Sequence, residues 1–284
     1  MPLITLSEIL KTAEEKQYGV GAFNVDCYDA LEGVMAAAEK RKVPVIINVA
    51  EVHYEAAGKE QFIPYVFSRV SRSPIPVVIN LDHGFSYESA IKAIHYGYSS
   101  VMIDGSELPY DENVRQTKEI VKVAHTAGVS VEAELGRVVG LEGKLGAEVA
   151  ADRDSFTDPD EAVKFVAETG IDALAVSVGT VHGVFKGDPE IDFELLQALY
   201  EKIDVPLVLH GGSGLSADDF KKAIRCGIRK INVYTTLYKA ALDEIKTLLA
   251  DEKHNGTFAD LVHAARSRIE IEAGKHMDIF GTMP

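Results

Sequence analysis

Eight short, almost wholly apolar runs alternate with amphipathic stretches along this chain: Tyr18–Phe23, Val43–Val49, Val77–Leu81, Ser100–Ile103, Ser130–Glu134, Ala173–Ser177, Leu207–Leu209 and Lys230–Val233. Apolar runs without polar alternation mark strands buried on both faces, as in parallel sheets. The stretches between them carry helical spacing. Leu31, Val34, Met35 and Ala38 fall at i, i+3, i+4 and i+7, and Leu237, Ala240, Ala241 and, one turn on, Leu248 continue the same pattern near the end. Thr5-Leu6-Ser7-Glu8 has capping-box spacing and predicts a helix to about Gln17. Asp111 and Ser216 are read as caps of two further helices, and Phe258 to Phe280 as a last helix before a Gly281–Pro284 tail.

Strand and helix repeated eight times, without a G-x-G-x-x-G turn, favour closure into a (β/α)8 TIM barrel over an open doubly wound sheet. The first helix is expected to cap the barrel bottom, and the last to form a C-terminal helical extension. The 284 residues suit one barrel of about 250 residues, so 1–284 is read as a single α/β domain without a linker.

Composition narrows the partners. A formal charge of −15 repels polyanions, which argues against nucleic acid and anionic membrane. No apolar run reaches membrane-helix length and Met1 to Leu10 lack a signal-peptide layout, so a cytoplasmic protein is expected. Cys27 and Cys226 stand in no metal or redox spacing and are read as reduced core thiols.

Chemistry in a barrel sits where strands end, and the strand ends here are polar. They carry Asn24, Asp82-His83, Asp104, Glu132 and Glu134, His210 and Asn232, while strand six runs into Val178-Gly179-Thr180-Val181-His182-Gly183. His83, His182 and His210 take matching positions on strands three, six and seven, an open three-nitrogen set of the kind catalytic zinc prefers. Asp82 precedes a ligand and reads as an orienter or a general base, with Gly84 expected to make the necessary bend. Two glycine-rich loops, Gly136 to about Asp158 and Gly179 to about Ile191, read as lids, the second carrying Lys186. His210-Gly211-Gly212-Ser213-Gly214 and Asn232-Val233-Tyr234-Thr235 open helices after strands seven and eight, the usual phosphate nest of barrels.

Leu81-Asp82-His83-Gly84, Met102-Ile103-Asp104-Gly105-Ser106, Val131-Glu132-Ala133-Glu134-Leu135-Gly136, Gly179-Thr180-Val181-His182-Gly183, Leu209-His210-Gly211-Gly212-Ser213-Gly214 and Lys230-Ile231-Asn232-Val233 together resemble class II ketose-bisphosphate aldolases, in order and over nearly the whole chain. The resemblance implies zinc-dependent, reversible cleavage of a phosphorylated ketose, fructose- or tagatose-1,6-bisphosphate or a related ketose 1-phosphate, to dihydroxyacetone phosphate and an aldehyde, within carbohydrate metabolism such as glycolysis. It implies one catalytic Zn²⁺ per chain on His83, His182 and His210, with zinc stabilising the enediolate. Asp82 matches the acid/base at C4, and Glu142 the lid glutamate that moves the C3 proton. Asp104 and Glu134 match carboxylates that in part of the family hold a second cation.

Gly183, Gly211, Gly212, Ser213, Asn232, Val233, Tyr234 and Thr235 match the dihydroxyacetone-phosphate contacts, with which Asn24 is grouped, and Lys186 matches a lid lysine. Arg266 falls where relatives send an arginine into a neighbouring subunit, which implies a homodimer or homotetramer. Glu51 and His53 in loop two, with the bulky Tyr234, depart from the bisphosphate pattern near the aldehyde half, so the aldehyde is expected not to be a triose phosphate. Three other readings stand beside this one: a Schiff-base aldolase, for which no strand ends in lysine, a metal-dependent hydrolase, and a non-catalytic sugar-phosphate sensor.

Overall fold

The computed structural model describes residues 2–51, 59–140, 148–186, 190–251 and 256–284. Eight parallel strands close into a barrel: β1 (Val20–Asn24), β2 (Val45–Ala50), β3 (Val77–Gly84), β4 (Ser100–Ile103), β5 (Ser130–Leu135), β6 (Ala173–Val176), β7 (Leu207–Leu209) and β8 (Ile228–Val233). Each strand pairs with its neighbours in sequence and β1 pairs with β8, Val20 opposite Lys230, which leaves no sheet edge.

The helices are α1 (Leu6–Lys16), α2 (Tyr28–Arg41), α3 (Lys59–Val70), α4 (Tyr87–Tyr96), α5 (Tyr110–Thr126), α6 (Pro159–Thr169), α7 (Phe193–Lys202), α8 (Ala217–Arg225), α9 (Thr235–Ala250) and α10 (Phe258–Phe280). Thr5 and Glu8 form the expected capping box on α1, and Ser216 caps α8. Asp111 does not cap α5: the helix begins one residue earlier, with Pro109 in the cap position. Proline's fixed φ pre-sets the helix entry, which leaves Asp111 in the first turn, where its charge suits the dipole.

Two cores hold the fold. The larger one lies between barrel and helices and takes up Leu31, Val34, Met35 and Ala38 of α2 as the periodicity requires. The smaller plugs the barrel bottom, where Leu6, Ile9, Leu10 and Ala13 of α1 meet Val20, Ile46, Val78, Met102 and Val208. Arg229, wholly buried, clamps this plug: its Nε lies 2.7 Å from Glu14 Oε2, and its guanidinium donates to Gln17 and to the Ile224 and Ile228 carbonyls. The C-terminal helix α10 packs on α2, with Arg41 forked onto Asp278 at 2.8 Å. No helix of the described residues is long and apolar enough to cross a membrane.

Cys27 is not a core residue, whereas Cys226 packs against the larger core. Cys27 is exposed at the start of α2 and Cys226 half-buried at the end of α8, both as free thiols. Each stands at a helix end, where the chain reaches the surface.

Candidate active site

Above the apolar plug the barrel interior turns polar. Asn24, Asn48, Asn80, Asp82, Glu132, His210 and Lys230 are all fully buried there. Burying so many polar groups is tolerable only if they bond one another, and they do. Three amides form a directed ladder across β3, β2 and β1: Asn80 Nδ2 donates to Asn48 Oδ1 (3.0 Å), Asn48 Nδ2 to Asn24 Oδ1 (3.3 Å) and Asn24 Nδ2 to Asp82 Oδ2 (2.7 Å). Asn232 Nδ2 serves the other Asp82 oxygen at 2.9 Å and reaches His210 Nδ1 at 3.3 Å. Burial pushes the Asp82 carboxyl up, but the fields of His83, Lys230 and His210 and the Asn24 hydrogen bond outweigh it and hold Asp82 below its usual range.

The bend that brings Asp82 and His83 into one site occurs at His83, not at Gly84. His83 has φ 45°, the left-handed region that costs a side-chain-bearing residue strain, and the β3–β4 register slips between Leu81 and Gly84. Gly84 is needed for another reason. A Cβ there would sit 2.7 Å from the Met102 carbonyl oxygen.

The three histidines converge. One nitrogen of each of His83, His182 and His210 lies within 4.8 Å of the others. His83 Nδ1 faces Asp104 Oδ2 at 2.8 Å, and His210 Nε2 faces Glu132 Oε1 at 2.8 Å. Burial raises the Asp104 carboxyl, but hydrogen bonds from His83 and Ser106 pull it far below the usual range, so it accepts. Each carboxylate therefore places the ring proton on the nitrogen facing it. The remaining nitrogens, His83 Nε2 and His210 Nδ1, lie 3.0 Å apart. A proton held between them makes a hydrogen bond, and a cation in its place takes a lone pair from each ring. Burial first, and the neighbouring His83 second, push His182 down to about 3 and His210 well below its usual value, which keeps both as the neutral imidazoles a metal requires. The donor set fits zinc with a fourth position open.

Asp104 thus orients His83 through Oδ2, while its Oδ1 accepts from Ser106 N at 3.0 Å. Glu134 lies in the same cluster, its carboxyl pushed up to about 8 by burial and the Asp104 charge, with Oε1 accepting from Val138 N at 2.9 Å. Most residues read as a phosphate nest come together: Gly183, Gly211, Gly212, Ser213, Asn232, Tyr234 and Thr235 line one narrow cavity with His182. Val233 packs its side chain into the outer core and does not line that cavity. Tyr234 packs on Tyr238, and both hydroxyls donate to Asp26. Asn24 faces Asp82 rather than this cavity.

Other residues singled out by sequence lie apart. Lys186 is exposed and outside the cavity lining. Glu51 Oε2 accepts from Phe85 N at 2.9 Å, tying loop two to the turn after His83. Arg266 sits on α10 beside Asp29, 3.7 Å away. Glu142 and His53 lie outside the described residues. The two glycine-rich loops meet: Val139 O accepts from His182 N at 2.8 Å, Gly140 bridges His182, and Glu148–Val149 pairs in parallel with Val184–Phe185.

Sequence reasoning gave no role to Glu132 and overlooked Asn48, Asn80 and Lys230. Lys230 Nζ donates to Glu132 Oε2 at 2.6 Å, deep in the barrel. A lysine so engaged is not poised for Schiff-base chemistry, which needs a free amine. The signal was available as polar residues two apart in apolar strands, Asn80/Asp82, Glu132/Glu134 and Lys230/Asn232, since a period of two selects one face.

The model of the fructose-bisphosphate aldolase class-II family matches residues 4–283. A probable fructose-bisphosphate aldolase of Bacillus subtilis (strain 168) is 42% identical over 253 residues, covering 88% of this chain and 87% of its own. The fructose-bisphosphate aldolase of Staphylococcus aureus (strain Mu50) is 37% identical over 291 residues, covering 99% and 98%. Among solved structures, the YdjI aldolase of Escherichia coli K12 superposes with a TM-score of 0.88 at 35% identity, over 99% of this chain and 98% of that one. A putative fructose-1,6-bisphosphate aldolase of Coccidioides immitis gives 0.84 at 27% identity, over 97% and 96%. With barrel, histidine cluster and phosphate nest in agreement with these matches, the chain belongs to the class II fructose-bisphosphate aldolase family.

Proposed function

We propose that residues 1–284 form one zinc-dependent aldolase domain that splits a ketose 1-phosphate between C3 and C4, giving dihydroxyacetone phosphate and an aldehyde. The observation that carries this is the convergence of three imidazole nitrogens within 4.8 Å of one another, beside the Asp82 carboxylate that Asn232 links to His210. His83, His182 and His210 would hold the ion. When bound, it supplies Lewis-acid stabilisation of negative charge developing on the carbonyl side, worth several kcal/mol.

The chain's own groups do the rest. Asp82, ionised and steadied on both oxygens by Asn24 and Asn232, takes the C4 hydroxyl proton as the C–C bond breaks. Backbone amides of the Gly183, Gly211–Ser213 and Asn232–Thr235 segments receive the phosphate, and Lys186 adds charge from the adjoining loop. Glu142 returns a proton to carbon. The loops after β5 and β6 close over the site and keep water from the reactive half. Asp104 and Glu134 are the groups for any second cation.

The aldehyde half we assign to something other than a triose phosphate. Tyr234 walls the phosphate cavity, and Glu51 brings a carboxylate to the loop-two side of the site, where a second phosphate would need positive charge. Arg266 serves a neighbouring copy in a homo-oligomer, and the setting is the cytoplasm.

Metal analysis coupled to a dihydroxyacetone-phosphate release assay tests the reading, over a panel of ketose 1-phosphates and bisphosphates, before and after chelation and in His210→Ala. About one zinc per chain with chelator-sensitive release is expected. Bound zinc without release from any ketose would turn the reading towards a hydrolase or sensor. A fructose-bisphosphate kcat/KM of roughly 10⁴ M⁻¹s⁻¹ or better would refute the assignment of the aldehyde half.

A further inference from the structure

Glu132 and Lys230 make an ion pair with both side chains fully buried in the barrel interior. They stand on β5 and β8, which are not neighbours in the sheet, so the pair reaches across the lumen. Such pairs are poor devices for stability. Each ion loses its hydration, and apolar residues of similar size serve packing as well or better, as they do at the neighbouring register positions Met102, Ala173 and Val208.

The pair is joined to something specific. Glu132 divides its oxygens, Oε2 to Lys230 Nζ at 2.6 Å and Oε1 to His210 Nε2 at 2.8 Å. His210 has no freedom left at that nitrogen, and its Nδ1 is the atom 3.0 Å from His83 Nε2.

We propose that Glu132 and Lys230 are positioning residues for the metal centre: Glu132 fixes the tautomer and direction of His210, and Lys230 holds Glu132 so that one oxygen always faces the ring. This rests on the zinc reading above. The chain of command runs Lys230, Glu132, His210, ion. Without Lys230, the carboxylate keeps a single partner and is free to rotate. Without the carboxylate's charge, the imidazole becomes a weaker donor to the metal.

The test uses the full chain and Zn²⁺ itself. Glu132→Gln alone sets an amide against the Lys230 ammonium, so the informative variant is Glu132→Gln/Lys230→Met, which removes both charges of the pair together and keeps an acceptor for His210. Zinc affinity is read by competition with a chromophoric chelator, the ligand field by the visible spectrum of the Co²⁺ form, and folding by thermal unfolding of the metal-free protein. We expect unfolding of the metal-free variant close to that of the parent, zinc affinity lower by about ten- to a hundredfold, and an altered Co²⁺ spectrum.

Unchanged affinity and spectrum in the variant, with zinc bound normally by the parent, overturn the inference alone. A parent that takes up no zinc overturns the reading beneath it as well. Nitrogen-15 NMR of the zinc-loaded parent decides the matter independently of whether the variant folds. A proton on His210 Nε2 with the metal on Nδ1 supports the inference, and metal on Nε2 refutes it.

Discussion

Asp82→Asn removes one charge and leaves shape almost untouched, yet the structure predicts two separate losses. Both Asp82 oxygens accept from amide nitrogens, Asn24 at 2.7 Å and Asn232 at 2.9 Å. An asparagine offers one oxygen, so one donor must meet another donor. The Asn24–Asn48–Asn80 ladder can reverse by flipping each amide, but that moves the mismatch to Asn80, whose Oδ1 has no hydrogen-bond partner among the described residues. Either way one buried donor goes unpaired, at a cost of about 1–3 kcal/mol. For a chain of this size that lowers Tm by roughly 2–10 °C. Activity falls further, by about 10²–10⁴, because the base is gone.

The double variant Asn24→Asp/Asp82→Asn separates the two losses. The carboxylate introduced on β1 then accepts from Asn48 and from the amide introduced on β3, whose oxygen accepts from Asn232, and every donor is paired again. Thermal unfolding of the zinc-loaded proteins should show the double variant regaining most of the lost stability, while dihydroxyacetone-phosphate release stays at the single-variant level. A double variant that recovers turnover, or an Asp82→Asn protein as stable as the parent, would refute the reasoning.

Further expectations concern other parts of the fold. Borohydride added during turnover should neither inactivate the protein nor label Lys230, because that amine is bonded to Glu132; covalent trapping would restore the Schiff-base route. Glu14→Gln should cost about 1 kcal/mol at neutral pH, a figure discounted because Glu14 is partly solvated. Burial raises the Glu14 carboxyl, but hydrogen bonds from Tyr200 and Arg229 outweigh it, so its folded pKa is lowered. Its contribution is therefore present above the unfolded value near 4.3 and fades as pH falls through the lower folded value; the Tm gap between parent and variant should shrink below about pH 4. Gly140→Ala drives a Cβ into the His182 carbonyl oxygen at φ 110°, so zinc should be lost to a chelator faster while metal-free Tm barely moves; unchanged retention would show that the loop gives way without disturbing His182.

The strands were legible because each is short, buried on both faces and mostly apolar, and their bounds shifted by only a few residues. The largest extension, β3 through Asp82 and His83 to Gly84, arises because a left-handed histidine lets the strand carry its polar end into the site. That His83, His182 and His210 meet, and that the turns after β7 and β8 share a cavity, could be read from position alone, since a barrel sends every strand end to one mouth. Glu132, Lys230, Asn48 and Asn80 were harder. Their partners lie on other strands, in Glu132's case across the lumen, and a one-dimensional pattern shows which face a residue takes but not whom it meets. Asp111 failed for a local reason, because proline's fixed φ won the cap position. Cys27 failed because a thiol without spacing carries no address.

The backbone contacts between the loops after β5 and β6 bear on how this protein can change. Because Val139 and Gly140 are bonded to the backbone of His182, the loop after β5 and the loop after β6 are joined as one piece. Grafting one of them alone from a relative breaks the parallel pairing, so on the function proposed above altered selectivity would arrive with altered metal retention. Exchanging both together keeps the ligand in place, which makes the loop pair, rather than either loop, the natural cassette for redesign or divergence.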